Sequence, residues 1–209
     1  MRVAKEGLLF VLPILILAAA AFGFGWIWIG GPLFIFALKL AFFFRDPIRY
    51  TPQNDNLIFS PADGTIIKIQ DLGEDASSPY PATRVSIFLS IFNVHITRAP
   101  IAGTVQSITT NPGRFFSANK ESASEKNAHV SVNIEGDRTD IYFKQISGSI
   151  ARRIKSYIKE KDELRAGQRT GIIFFGSRVD IFLPKTVDIK ICLGQKVRAG
   201  ETPIAERKS

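Results

Sequence analysis

The sequence predicts a mainly β protein of the α+β class: a barrel-sandwich-like β domain with one or two short helices, set behind an N-terminal transmembrane helical hairpin. Three observations predict it. An apolar stretch from Gly7 to Leu38 contains no charged residue. Beyond residue 45, apolar and polar residues alternate in short runs, the pattern of half-buried strands. Turn-forming clusters such as Pro61-Ala62-Asp63-Gly64, Asn111-Pro112-Gly113, Glu135-Gly136-Asp137 and Ala199-Gly200 separate those runs.

The apolar stretch fixes residues 1–44 as a membrane anchor. One crossing needs about 20 apolar residues and two full crossings about 40, so one span fits easily and two would be short. Its middle, Gly23-Phe24-Gly25-Trp26-Ile27-Trp28-Ile29-Gly30-Gly31-Pro32, holds the glycines and proline at which a chain turns and the tryptophans that favour an interface. Arg2 and Lys5 precede the stretch; Lys39, Arg45 and Arg49 follow it. Positive charge stays on the cytoplasmic side, so two basic flanks favour a hairpin with both ends inside over a single span. A cleaved signal peptide fits poorly, because the apolar region is too long and no small-x-small site precedes the rest.

Residues 45–209 form the second unit. Strands are expected over 65–69, 84–89, 129–134, 139–143 and 179–183. A helix is expected over 149–160, where Ile150, Ile154 and Ile158 recur every four residues among Arg152, Arg153, Lys155 and Lys159. The stretches 60–66 and 194–204 echo each other weakly, as turn-strand units of a barrel-sandwich domain do. A lipoyl or biotinyl carrier is disfavoured: carriers display a lysine at a hairpin tip, usually between methionines, and Met1 is the only methionine.

The net charge of +8 suits nucleic acid or an anionic membrane. The anchor decides for anionic lipid, and no basic-aromatic interleaving suited to single-stranded nucleic acid is present, so nucleic acid is not expected as a partner. The single cysteine, Cys192, excludes an intramolecular disulfide, and its alternating surroundings make it a small core residue. With only His95 and His129 besides, no common zinc site is expected.

Chemistry enters through four ordered segments: Phe44-Arg45-Asp46-Pro47, Pro61-Ala62-Asp63-Gly64, Phe88 to Pro100 around Asn93-Val94-His95-Ile96-Thr97-Arg98, and Phe174-Phe175-Gly176-Ser177-Arg178-Val179. None is strong alone. A Gly-Ser pair reads first as a bulge or turn, a lone histidine as a core residue, and an aspartate before glycine as a turn residue. In this order, with Gly194-Gln195-Lys196-Val197 behind them, they resemble the short, pyruvoyl-dependent type of phosphatidylserine decarboxylase over nearly all of residues 44 to 206.

The resemblance implies a lyase that matures by cutting itself between Gly176 and Ser177. The serine hydroxyl attacks the neighbouring glycine carbonyl, where no Cβ blocks approach; the resulting ester undergoes elimination, and residue 177 becomes a covalent pyruvoyl group. The products are a β chain, 1–176, and an α chain, 177–209, with a homodimer left open. The pyruvoyl carbonyl acts as an electron sink: the amine of phosphatidylserine forms a Schiff base with it, carbon dioxide leaves, and phosphatidylethanolamine is released. His95 matches the family histidine linked to decarboxylation and substrate handling, with a pKa suited to proton delivery. Asp63 matches the aspartate linked to self-cleavage. Many members carry a second histidine three positions after the first, and Leu-Gly-Ser-Thr at the cut; here these are Arg98 and Phe175-Gly176-Ser177-Arg178. The cleavage base is therefore open between His95 serving both steps and a contribution from His129, whose strand-like setting favours a structural role. Arg98 and Arg178 are candidates to pair with the substrate's phosphate or carboxylate, against a plain solvated role. The expected location is the cell membrane, catalytic domain on the cytoplasmic side. The alternatives are another serine phospholipid such as an archaetidylserine, or a non-enzymatic membrane adaptor built on the same β domain.

Overall fold

The computed structural model describes residues 2–73, 78–113, 127–148, 153–174 and 177–208. The chain divides into two compact units, residues 1–48 and 49–209.

In the first unit, α1 (Lys5–Gly23) and α2 (Ile27–Phe43) run antiparallel through a turn at Phe24-Gly25-Trp26, where Gly25 takes a left-handed φ of 76°. A two-stranded ribbon, β1 (Arg2–Val3) with β2 (Arg45–Asp46), ties their other ends together. Gly7 lets the Phe44 ring lie against α1, stacked on Phe10 with ring centroids 5.6 Å apart. The outward side chains remain apolar: Leu9, Ile16, Trp28 and Phe36 are all exposed. By length and composition α1 suffices to cross a bilayer, and α2, at 17 residues, is slightly shorter.

The second unit is mostly β. Its strands are β3 (Leu57–Phe59), β4 (Gly64–Gly73), β5 (Ala82–Leu89), β6 (Ile96–Arg98), β7 (Gly103–Asn111), β8 (His129–Glu135), β9 (Ile141–Ile146), β10 (Ile154–Ser156), β11 (Glu163–Leu164), β12 (Arg169–Ile173), β13 (Ser177–Pro184), β14 (Val187–Ile189), β15 (Lys196–Val197) and β16 (Pro203–Arg207). An antiparallel sheet of order β11-β7-β8-β9-β13-β5-β4-β15 curls into a half-barrel, its register shifting within the β4–β5 and β7–β8 pairs. Two three-stranded sheets, β10-β12-β6 and β14-β16-β3, complete the domain. Alternation sorts the faces of the large sheet: Val85, Ile87 and Leu89 of β5, Val130, Val132 and Ile134 of β8, and Val179, Ile181 and Leu183 of β13 form the core. All five strands expected from alternation are present.

Two expectations are corrected. Residues 153–160 are not helical: Ile154–Ser156 is strand β10, paired antiparallel with β12. A spacing of four is even, so isoleucines at that interval share a strand face as well as a helix face. β-branched Ile154 opposite Ile173 then favours the ladder. Residues 149–152 lie outside the described residues, and the described part of this unit contains no helix. Cys192 is exposed rather than in the core. The strand β14 ends at Ile189, before the alternating run does, and Cys192 sits in the following turn, its N–H donating to Gln195 Oε1 at 3.1 Å.

Candidate active site

The site is built where β5, β12 and β13 meet. Ser177 opens β13 and pairs with Leu89, the last residue of β5. From Leu89 the chain makes a tight turn closed by Asn93, whose Oδ1 accepts from the Ser90 N–H at 2.9 Å and the Ser90 hydroxyl at 2.7 Å. It then reaches His95, whose carbonyl accepts from the Ile173 N–H at 3.1 Å. The 173–177 stretch is thus held at both ends by the 89–95 segment. Phe175 and Gly176, the amino side of the expected cut, lie outside the described residues.

Ser177 is fully buried, and its Oγ has no hydrogen-bond partner among the described residues. A buried hydroxyl without a partner costs about 1–3 kcal/mol, so it marks a position kept for something other than stability. His95 is also buried. Its Nδ1 lies 3.0 Å from the Asn93 carbonyl oxygen, which can only accept, so Nδ1 carries the proton and Nε2 the lone pair. His129 has the same tautomer, with Nδ1 donating to Asn127 O at 2.8 Å. Its Nε2 lone pair is engaged at 3.0 Å by the Asn111 side-chain amide, as a structural histidine's would be.

Asp63 follows β3 in the turn that enters β4. Gly64 is needed beside it because a side chain there would collide with the Phe88 carbonyl oxygen. The carboxylate is nearly buried and engaged on both oxygens: Oδ2 pairs with Arg49 at 2.6 Å and Oδ1 accepts from the Ala199 N–H at 2.8 Å. Arg49 also pairs with Glu201 at 2.8 Å. The turn is tied to the histidine strand by the Arg98 N–H, which donates to Pro61 O at 2.9 Å. Arg49 was legible in the sequence only as a basic residue flanking the anchor; nothing local marked it as the partner of Asp63.

The two other candidate arginines are interior. Arg98 is 7% exposed and donates from Nη1 to the Gly167 carbonyl at 2.8 Å. Arg178 is 1% exposed; its Nε meets Asp180 Oδ1 at 2.6 Å and its Nη2 donates to Ser86 Oγ at 2.7 Å. On the core side, Gln145 donates to Thr97 Oγ1 at 2.6 Å and Thr170 to the same oxygen at 3.0 Å, a buried polar link between the large sheet and the β6–β12 pair. A cleft of about 530 Å³ lined by Thr51, Asp137, Arg138, Arg165 and Arg207 opens elsewhere, and none of the candidate residues lines it. The site is thus recognised by its side chains rather than by the size of a cavity.

Residues 36–205 match the family model described as phosphatidylserine decarboxylase. Among curated proteins, the chain is 46% identical over 191 residues to a phosphatidylserine decarboxylase proenzyme of Novosphingobium aromaticivorans, covering 85% of this chain and 76% of that one. It is 41% identical over 209 residues to the proenzyme of that name from Ehrlichia canis, covering 99% and 92%. Against the one from Syntrophus aciditrophicus it is 44% identical over 168 residues, covering 80% and 79%.

Proposed function

The chain belongs to the phosphatidylserine decarboxylase family, and we propose on that premise that it is a precursor that cuts itself between Gly176 and Ser177 and then converts phosphatidylserine to phosphatidylethanolamine and carbon dioxide. The observation that carries this reading is the Ser177 hydroxyl, buried without a partner among the described residues at the start of a strand paired with β5.

In maturation, Ser177 Oγ gives its proton to a base and attacks the carbonyl carbon of Gly176. The peptide C–N bond breaks in favour of an ester, and the amine of residue 177 is freed. Loss of the residue 177 α-proton then breaks the Cβ–O bond and releases the Gly176 carboxylate. Hydrolysis of the resulting dehydroalanine, with loss of ammonia, leaves a pyruvoyl group at the head of the 177–209 chain. We assign His95 as the base: the Asn93 carbonyl holds the tautomer whose Nε2 lone pair can take the serine proton. Asp63, paired with Arg49 and accepting from the Ala199 amide, holds the turn that the Arg98 N–H ties to the histidine strand, and is a positioning residue for self-cleavage in this account.

A pyruvoyl group at residue 177 would supply a carbonyl able to take up the substrate amine and to draw off the electrons left by carbon dioxide. The chain's own residues do the rest. The buried setting of residue 177 excludes water, and His95, now protonated, returns a proton to the substrate carbon. Arg178, held by Asp180 and Ser86, fixes the strand that presents residue 177, and Arg98 fixes the Gly167 turn. Both are positioning residues in this account.

The first unit acts as the membrane anchor. Its outward apolar side chains need a non-aqueous surrounding. At about 1.5 Å per residue, α1 and α2 span roughly 28 and 25 Å, close to a hydrocarbon core that thins slightly around them. The basic flanks support a reading in which both ends, and with them the catalytic unit, lie on the cytoplasmic side. Ser177→Ala tests the reading. The variant is expected to stay one chain and to release no carbon dioxide from phosphatidylserine; an uncut variant that still decarboxylates would sink it.

A further inference from the structure

Resting on that function, we propose that the Ser177 end of the large sheet docks onto an anionic bilayer surface, with Ile91 and Phe92 as an apolar wedge and Arg153 and Lys155 as headgroup contacts.

The first observation is exposure. Among the described residues of this unit, Phe92 and Ile91 are 70% and 49% exposed and adjacent in sequence, whereas the other exposed large apolar side chains, Tyr50, Tyr157 and Leu193, stand singly. They stand side by side at the tip of the Ser90–Asn93 turn, between Leu89, the ladder partner of Ser177, and His95. Asn93 locks that turn, so the pair is presented on a fixed support. An aromatic and an aliphatic side chain at the tip of a rigid loop are suited to enter the headgroup–acyl boundary.

The second observation is charge. The sequence has no Asp or Glu from Ala76 to Lys120, from Ile141 to Lys159, or from Leu164 to Val179. These stretches supply the Ser177 ends of β5, β7, β9, β10, β12 and β13. Asp63 and Glu201 also lie at this end, and Arg49 pairs with both. Residues 114–126, outside the described residues, carry Glu121 and Glu125 against Arg114, Lys120 and Lys126. At the opposite end of the sheet stand Asp71, Glu135, Asp137, Asp140 and Glu163. The sheet is therefore polarised along its strands, with its acids gathered away from Ser177. Arg153 and Lys155 are exposed on and beside β10, and the Arg153 carbonyl accepts from the Phe174 N–H three residues before Ser177. Basic side chains around an apolar tip suit anionic lipid, each contributing about 1 kcal/mol near such a surface. A second copy of the domain would present the same basic rim and repel it.

The geometry also answers a chemical need. Residue 177 is buried and its substrate is a lipid whose headgroup lies at the interface. Seating this end on the bilayer lets the headgroup enter without lifting the acyl chains into water.

The test uses the full-length protein in vesicles of phosphatidylcholine and phosphatidylglycerol at a ratio of about three to one. In a Cys192→Ser background, an environment-sensitive fluorophore is attached through Phe92→Cys or, at the far end, Asp137→Cys. Quenching by lipids spin-labelled near the headgroup is expected at position 92 and not at 137. No quenching at 92, or equal quenching at both, overturns the proposal, as does burial of position 92 between two copies in detergent without bilayer. In parallel, the double variant Ile91→Ser, Phe92→Ser should decarboxylate phosphatidylserine in vesicles about tenfold more slowly than the unaltered protein. Both should act alike on a short-chain, monomeric phosphatidylserine. Equal rates on vesicles would overturn the wedge. A protein that docks through position 92 but decarboxylates neither substrate would instead count against the catalytic reading and leave the docking surface standing.

Discussion

At its Pro184 end, β13 is closed by a tyrosine. The Tyr80 hydroxyl accepts from the Tyr142 N–H at 2.9 Å and reaches the carbonyl oxygens of Phe182 at 3.0 Å and Asp140 at 3.2 Å, so strand ends from β9 and β13 share one satisfied group. Burial holds that phenol well above its usual pKa. At the Ser177 end the hydroxyl is fully buried but has no partner among the described residues, and its ladder partner Leu89 leads through a tight turn to a buried histidine in a fixed tautomer. The same strand thus carries a finished structural joint at one end and a reactive group at the other. The tyrosine hydroxyl that serves the fold is satisfied; the serine hydroxyl assigned to chemistry is not.

Substitutions at the two ends should therefore fail in different ways. The largest effect is expected at Ser177. Ser177→Ala should remove a costly buried hydroxyl, leave thermal stability equal or slightly raised, and abolish both cleavage and decarboxylation; a fall in melting temperature would break the contrast. His95→Gln should slow self-cleavage by about 10²–10⁴-fold, the usual worth of a general base, when cleavage is followed over time on a denaturing gel. Next comes Arg178, on the face of β13 opposite Ser177. Arg178→Met removes the buried ion pair with Asp180 and should cost roughly 3–5 kcal/mol in denaturant unfolding. Tyr80→Phe should cost about 1–2 kcal/mol and leave cleavage untouched. The sign of its pH effect follows from the raised phenol pKa. The unfolded tyrosine ionises first, so stability is kept below about pH 10 and declines above it, and Tyr80→Phe should lessen that decline. Smallest of all, Asp71→Asn removes an exposed pair with Lys185 and should not shift the melting temperature measurably.

Sequence reached β4, β5, β8, β9 and β13 because apolar residues alternate with polar ones along them, even in β13, where the polar Arg178 and Asp180 are themselves buried. It missed β7, in which only Val105 is buried, and the short strands of the two smaller sheets, where three to five residues leave no period to read, and it took β10 for a helix because a spacing of four suits both structures. At the site, the residues that react lie in recognisable short motifs. Those that hold them do not: Arg49 reaches Asp63 across a turn, Asn93 closes the loop before His95, and Gln145 joins Thr97 from a distant strand. Long-range partners leave no local signature. The proposed docking end was half visible: the basic balance is in the composition, but the gathering of acids away from Ser177 exists only once the strands are aligned.

The central claim is that the buried Ser177 hydroxyl breaks the chain before it. Denaturing intact-mass measurement of the purified full-length protein tests it most directly. The account predicts two chains divided between Gly176 and Ser177, the shorter one lacking a free amino terminus and gaining lipid mass after borohydride reduction with phosphatidylserine. A single chain of 23.2 kDa, unchanged by borohydride and lipid, would contradict it.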